Sequence, residues 1–226
     1  MTRVFAVHTA LAMVEPTTEL FKKYLPDVKL NHIVDDSLIQ EVIEFNKVTQ
    51  AVAKRLVNCF HMAVDARAEI IFNTCSSIGE IAQMARKMIP IPLLKIDDPM
   101  AIKAVESASR IGVLATLPST LTPTANLLKA MANERNKKIE VVEGLAKGAF
   151  QAVMSGDRET HDNLILKASE AVAGKVDVIV LAQGSMARME EKLSEVTGKK
   201  VLSSPLSGVL GVKEFIETNK ANSLII

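Results

Sequence analysis

The two halves of the sequence carry the same order of apolar and polar segments. Arg3–Thr9 aligns with Arg110–Thr116, and further along the chain Glu69–Cys75 aligns with Asp177–Gln183. Any two stretches of strand and helix look broadly alike, but here polar residues coincide as well as apolar ones. We therefore interpret the chain as two copies of one structural unit.

Within each copy, short apolar runs alternate with helical patterns, which is typical of a parallel sheet covered by helices. The predicted fold class is α/β, with two pseudo-symmetric doubly wound lobes that each contain a roughly four-stranded parallel sheet. Residues 1–100 are expected to form the first lobe and residues 101–205 the second, with residues 206–226 packing back on the first. In such folds ligands bind at the carboxyl ends of the strands. The active site is therefore expected in the cleft between the lobes.

Two finer predictions concern a helix in the first copy and the end of the second strand in both copies. Residues 39–67 show apolar side chains at three- and four-residue spacing and are predicted to form one long helix. The strand over 28–34 ends at Asp35, and its alignment with the second copy places Glu143 at the matching strand end. Asp35 and Glu143 are expected to brace loops rather than to transfer protons.

Composition excludes several classes of partner. The chain has 226 residues and a formal net charge of +1, without a concentrated stretch of Lys or Arg, so neither nucleic acid nor a membrane is an expected partner. Two cysteines indicate a reducing, cytoplasmic location rather than a disulfide framework, and four scattered histidines predict no metal site. The sequence has no glycine-rich phosphate loop, so no nucleotide cofactor is expected.

The stretch Glu69–Gly79 is the strongest indication of chemistry. An apolar run ends in Thr74, Cys75, Ser76 and Ser77, where a helical pattern begins. A cysteine at a helix N-terminus can have a lowered pKa and act as a thiolate. The alternative is a buried structural cysteine, but the neighbouring hydroxyls argue against an apolar pocket.

Other strand ends also carry polar residues that suit a bound carboxylate. The predicted substrate-binding set is Thr9, Ser76, Ser77, Thr116, Ser119, Thr120, Gln183 and Ser185. In the commonest doubly wound order the strand before His8 lies beside the strand before Cys75. His8 is therefore predicted to neighbour Cys75 and assist it as a catalytic residue, with a loop-ordering histidine as the alternative.

The turn at Thr74–Ser77, the segment Arg110–Thr116 and the duplicated layout resemble the aspartate/glutamate/hydantoin racemase superfamily over essentially the full chain. The resemblance implies two α/β lobes and proton transfer without a cofactor at a carbon next to a carboxylate or carbonyl group. Two-base members place one cysteine from each lobe beside that carbon. Cys75 matches the first cysteine, whereas Gln183 stands in place of the second, and an amide is not an acid or base near neutral pH.

The predicted function is accordingly a cofactor-independent racemase or isomerase that acts on a small amino acid or organic acid, with Cys75 and His8 as catalytic residues. One alternative is a cofactor-free decarboxylase or other lyase in which Cys75 protonates one face of the product. A second alternative is a protein that binds a metabolite without turnover. The chain is expected to form a homo-oligomer, a dimer or larger.

Overall fold

The computed structural model describes residues 1–223, with side chains up to residue 220. It contains two four-stranded parallel sheets. The first comprises β1 (Arg3–His8), β2 (Lys29–Val34), β3 (Ile70–Asn73) and β4 (Leu93–Lys95), and the second comprises β5 (Arg110–Ala115), β6 (Glu140–Leu145), β7 (Val178–Leu181) and β8 (Lys200–Leu202). The strand orders are β2-β1-β3-β4 and β6-β5-β7-β8. The predicted α/β class with two four-stranded parallel sheets is confirmed.

The two sheets also share their register around the central strands. Val4 pairs with Ile70 in the first sheet, and the aligned residues Ile111 and Val178 pair in the second. The outer pair Ile71 and Leu93 likewise corresponds to Ile179 and Val201. For these strands, the repeat seen in the sequence is therefore also present in the strand pairing.

Ten helices connect or follow the strands within the described residues. They are α1 (Val14–Tyr24), α2 (Ser37–Phe45), α3 (Gln50–Asp65), α4 (Gly79–Ala85), α5 (Asp98–Ser107), α6 (Pro118–Glu134), α7 (Ala149–Met154), α8 (Arg158–Ala173), α9 (Glu190–Thr197) and α10 (Ser204–Ser223). Short 3-10 turns at Leu11–Met13, Ser76–Ile78 and Gly184–Met189 precede α1, α4 and α9.

The single long helix predicted over residues 39–67 is wrong, because α2 and α3 are separate helices. Asn46, just after α2, has φ of 49° in the left-handed region, which Asn tolerates better than most residues. Thr49 then caps α3 by accepting a hydrogen bond from the Val52 N–H at 3.1 Å. Local backbone chemistry thus interrupts an apolar pattern that continues on both sides.

The second predicted strand end also needs correction. In register, Val4 pairs with Leu30 and Ile111 pairs with Val141, so Glu143 corresponds to His32 inside the strand rather than to Asp35 after it. Glu143 lies within β6 and is exposed. Apolar alternation alone left the register of this edge strand open, because β2 and β6 are only partly buried.

Each sheet is covered on both faces by apolar side chains. In the first sheet, Val7 and Ile71 pack with residues of α2, α3 and α4, while Val4, Ala6 and Phe72 pack with residues of α1 and α10. In the second sheet, Val113 and Val180 belong to the cluster with α5 and α6, and Leu114 and Ile179 belong to the cluster with α8 and α9. Side-chain alternation thus decides which face each polar strand-end residue joins.

The chain forms two compact units. The first contains Met1–Val42, Val48–Pro99 and the chain from Pro205 onward, and the second contains Ile43–Lys47 and Met100–Ser204. In the described part of the chain, no helix has the length and apolar character required to cross a membrane.

Candidate active site

Cys75 lies two residues after the end of β3, in the turn that leads to α4. Val7 is the register partner of Asn73, and the Thr74 N–H donates to the Val7 carbonyl at 3.1 Å, so continued alternation brings Thr9 opposite Cys75. The Thr9 hydroxyl, which is buried, hydrogen-bonds to the Cys75 sulfur. The sequence-predicted residues Thr9 and Cys75 are therefore brought together by β1 and β3.

The backbone around Cys75 is held from both sides. The Asn73 side-chain amide donates to the Cys75 carbonyl at 3.0 Å, and the N–H groups of Ser77 and Ile78 hydrogen-bond to the sulfur. Ser76 and Ser77 are buried within the 3-10 turn. These donors form a small pocket of positive partial charge around the sulfur, which is where a thiolate would be stabilised.

The expected lowering of the Cys75 pKa is nevertheless wrong. Burial raises the pKa of the Cys75 thiol, and the nearby Asp97 carboxylate raises it further, while the hydrogen bonds from Thr9, Ile78 and Ser77 act in the opposite direction. The helix effect is weak because a 3-10 turn follows the cysteine and α4 has only seven residues. Cys75 therefore favours the neutral thiol in the absence of substrate.

The predicted contact between His8 and Cys75 is also wrong, although β1 and β3 are paired as expected. His8 is opposite Thr74, and its Nδ1 lies 2.9 Å from the Thr74 hydroxyl. Because successive strand residues point to opposite faces, His8 is on the α1 and α10 face, whereas Cys75 packs with the α2, α3 and α4 cluster. A direct catalytic role for His8 stays a prediction without this contact.

His8 instead belongs to a chain of hydrogen bonds at the end of β1 and β2. Its Nε2 lies 2.9 Å from His32 Nδ1, and His32 Nε2 lies 3.1 Å from the Thr18 hydroxyl, which donates to the Val14 carbonyl. If both rings are neutral, His32 Nε2 and His8 Nε2 are the protonated nitrogens, and the Thr74 hydroxyl donates to His8 Nδ1 rather than to the Val7 carbonyl at 3.0 Å. Burial, with a smaller contribution from His32, lowers the pKa of His8 to about 4. This environment favours the loop-ordering alternative for His8.

Beside Cys75 lies a buried charged group that the sequence did not identify as part of the site. Lys95, at the end of β4, is 4% exposed, and its Nζ lies 3.7 Å from Asp97 Oδ1 and 3.0 Å from Asp98 Oδ1. Asp97 is 2% exposed and accepts a hydrogen bond from the Ser76 hydroxyl. The sequence signal was a lysine ending an otherwise apolar strand, followed by two carboxylates.

The second unit repeats the Thr9 and Cys75 arrangement with a different partner. Thr116 is opposite Gln183, and the Gln183 Oε1 accepts hydrogen bonds from the Thr116 N–H at 2.7 Å and the Thr116 hydroxyl at 3.0 Å. In both units, therefore, the second residue after the third strand of the sheet bonds to the threonine directly after the first strand. Gln183 uses its carbonyl oxygen in this contact, which leaves its amide N–H groups as donors.

The remaining predicted residues differ in exposure. Thr120 is buried in the first turn of α6, Ser119 beside it is partly exposed, and Ser185 is exposed in the 3-10 turn after Gln183. Asp35 follows β2, where its N–H donates to the His8 carbonyl at 3.1 Å and its carboxylate accepts from Ser37. Asp35 thus has loop-bracing contacts, and binding roles for the serines and threonines stay predictions.

Comparison with known proteins gives a consistent picture. The family model described as Asp/Glu/Hydantoin racemase matches residues 3–210. No curated protein matches the sequence. Among solved structures, the chain is similar to glutamate racemase isoform RacE1 from Bacillus anthracis, with a TM-score of 0.77, 13% identity and coverage of 96% of this chain and 82% of that one.

Two further structures have the same fold. Aspartate racemase from Picrophilus torridus has a TM-score of 0.73 and 14% identity, covering 95% of this chain and 94% of that one. Allantoin racemase from Klebsiella pneumoniae has a TM-score of 0.68 and 15% identity, covering 97% and 89%. At such low identity these structures establish the shared fold alone.

Proposed function

The chain belongs to the Asp/Glu/Hydantoin racemase family, and from this premise we propose that it inverts a carbon centre next to a carboxylate or carbonyl group, without a cofactor, using the Cys75 turn for proton transfer. Family membership makes the protein an isomerase of the racemase type. The proposed substrate is a small carboxylate, either an amino acid or an organic acid.

The observation that carries the proposal is the environment of the Cys75 sulfur. A thiol at the carboxyl end of a central strand receives hydrogen bonds from Thr9, Ser77 and Ile78. These donors stabilise the sulfur when it has given up its proton, while burial restores the proton afterwards. Such a group can both give and take a proton at carbon, which is what racemisation requires on one face.

The rest of the proposed mechanism concerns charge on the substrate. Removal of a proton beside a carboxylate places negative charge on the carboxylate oxygens, and hydrogen-bond donors stabilise that charge. The amide N–H groups of Gln183 are proposed to supply such donors, because its Oε1 is already bonded to Thr116. Hydroxyls of Ser119 and Ser185 are proposed to assist. Gln183 is a binding group in this scheme and carries no proton itself.

A direct test uses enantiopure aspartate, glutamate and allantoin, since racemases of these three compounds share the fold. We expect at least one of these compounds, either a carboxylate or the hydantoin allantoin, to lose optical rotation with wild-type protein. Cys75→Ala should reduce the rate at least about a thousandfold with the fold retained, because the proton-transfer group is lost. Cys59→Ala, the matched control in α3, should keep the activity.

Deuterium oxide separates racemisation from the other reactions. A racemase should incorporate solvent deuterium at the stereocentre and produce both enantiomers. The deuterium should be the only change in the mass of the compound. Release of carbon dioxide would assign the protein to lyase chemistry, and ligand-dependent thermal stabilisation without deuterium uptake would assign it to binding alone. Retained turnover in Cys75→Ala would remove Cys75 from the mechanism.

A further inference from the structure

Asp97 stands out among the residues around Cys75 because its carboxylate is buried and only partly compensated. It is 2% exposed, and its Oδ1, like the Oδ1 of Asp98, has no hydrogen-bond partner among the described residues. The nearest cation is the Lys95 ammonium, at 3.7 Å from that oxygen. Burial raises the pKa of Asp97, Asp98 raises it further, and Lys95 lowers it.

The neighbouring carboxylate has stronger partners. Asp98 lies 3.0 Å from the Lys95 Nζ, and its other oxygen lies 2.5 Å from the Arg86 guanidinium. Arg86 is in turn anchored by donation of its Nε–H to the Leu93 carbonyl at 2.8 Å. The Lys95 ammonium therefore lies closer to Asp98 than to Asp97, although neither Oδ1 accepts a hydrogen bond from it. Asp97 is thus less compensated by cations than Asp98 is, and an ionised Asp97 would act electrostatically on its surroundings.

Those surroundings are the Cys75 turn. The Ser76 hydroxyl donates to Asp97, and Gly79, at the start of α4, lies against Lys95 so closely that an added Cβ would be 3.2 Å from Lys95 Cε and 3.7 Å from Asp97 Oδ2. The Cys75 sulfur is thus influenced by hydrogen bonds from the Thr9 hydroxyl and the N–H groups of the turn, and by the charge of the Asp97 carboxylate without a direct contact.

We propose that Asp97 is a positioning residue for the reaction: it fixes the Cys75 turn through Ser76, and its negative charge keeps the Cys75 sulfur in the proton-bearing thiol form. The inference rests on the proposed function for its catalytic meaning, because a thiol is the form that delivers a proton to carbon. The structural part of the proposal depends only on the contacts of Lys95, Asp97 and the Cys75 turn, and not on the proposed function.

The test is the pH dependence of alkylation by iodoacetamide, measured without substrate on a Cys59→Ala background that leaves one thiol. Asp97→Asn should shift the profile to lower pH and raise the labelling rate at pH 7.5 about three- to tenfold, because an opposing charge is removed. Asp97→Glu should return the profile towards that of the parent. A role confined to packing would leave the profile in place.

Asp98→Asn is the matched control, because Asp98 is a carboxylate beside the same lysine but has no effect on the Cys75 sulfur. Its labelling rate should change less than about twofold. An equal increase in both variants, or no increase in Asp97→Asn, would overturn the assignment. If Asp97→Asn does not fold, the alkylation rate of Cys75 in the protein with Asp97 intact is the test. A rate faster than that of free cysteine at pH 7.5 would contradict the proposal.

This experiment is independent of turnover. A protein that shows the alkylation shift but no racemisation would retain the Asp97 assignment and lose the proposed function. Racemisation with an unchanged alkylation profile in Asp97→Asn would do the reverse.

Discussion

At Cys75, hydrogen bonds and burial act on the same sulfur in opposite directions. Thr9, Ser77 and Ile78 donate to it and favour the thiolate, whereas burial and Asp97 favour the thiol and prevail. The position of a cysteine after a strand could be predicted from the sequence. The balance could not, because it depends on Asp97, which is 22 residues further along the chain and close only in the folded structure.

Thr9→Val should make Cys75 less reactive. Valine fills the same space but removes the hydroxyl donor, so the thiolate loses one of its hydrogen bonds and the pKa of Cys75 should rise further. We expect alkylation at pH 8 to slow about two- to tenfold relative to wild type. Thr9→Ser, which keeps the hydroxyl, should restore the rate. Equal rates for all three proteins would show that the hydroxyl does not act on the sulfur.

His8 should make the stability of the fold depend on pH. Burial lowers its pKa to about 4 from the ordinary value of 6.5, so the unfolded chain binds a proton in a range where the folded chain does not. The free energy of unfolding therefore falls as pH drops from 6.5 towards 4, at about 1.4 kcal/mol per pH unit and roughly 3 kcal/mol in total, and is fully present above 6.5.

Urea unfolding at several pH values measures this slope. His8→Asn should reduce it between pH 4 and 6.5, since one titrating ring is gone, while His32, whose pKa burial also lowers, keeps part of the slope. The matched control is His61→Gln, at an exposed position of α3, and it should leave the slope unchanged. If His8→Asn keeps the wild-type slope, the lowered pKa does not belong to His8.

Among the elements, α10 packs tightly against the loop that carries Asp97. Gly208 lies against this loop, where an added Cβ would be 2.6 Å from the Ile96 carbonyl oxygen and 2.9 Å from its Cα. A turn further on, an added Cβ at Gly211 would be 2.5 Å from the Pro99 ring. Backbone atoms cannot move aside as a flexible side chain can, so glycine is required at Gly208.

Gly208→Ala should therefore destabilise the protein by about 1–3 kcal/mol through overpacking. The same variant should also alter Cys75 alkylation, because Ile96 is the neighbour of both Lys95 and Asp97. Gly174→Ala is the control, since nothing lies within 4 Å of an added Cβ there and its φ is −68°. Thermal unfolding of both variants, each compared with wild type, measures the difference. Equal stability of the two would mean that α10 is not tightly packed on this loop.

The helices and strands also show which features of the fold could be predicted from the sequence and which could not. Buried central strands such as β3 and β7 were predictable because they are continuous apolar runs between polar ends. The break between α2 and α3 was not, since the apolar pattern continues across it and only Asn46 and Thr49 interrupt the helix. Which of two successive strand-end residues faces Cys75 depends on register, and this placed Thr9 rather than His8 beside the thiol.

For the molecule as a whole, the two units repeat the same strand arrangement but carry a different side chain at one matched position. The strand orders and central registers are the same in both sheets. Thr9 bonds to Cys75 in one unit, and Thr116 bonds to Gln183 in the other. One fold therefore presents a thiol at one copy of this position and an amide at the other.

Gln183→Cys tests whether this difference limits inversion. Inversion needs proton transfer on both faces of the carbon, and an amide cannot serve as acid or base near neutral pH, whereas a thiol can. We expect the variant to racemise its substrate at least about tenfold faster than wild type, with deuterium entering both enantiomers at similar rates.

Gln183→Ser is the matched control, because it shortens the side chain as cysteine does but supplies no group that ionises near neutral pH. It should not increase the rate, and it separates loss of the Thr116 contact from gain of a thiol. Chiral chromatography with mass detection of the product formed in deuterium oxide measures the racemisation rate and the deuterium content of each enantiomer. If wild type already labels both enantiomers equally, and Gln183→Cys adds nothing, then a group other than position 183 supplies the second proton transfer, and the asymmetry between the units does not limit catalysis.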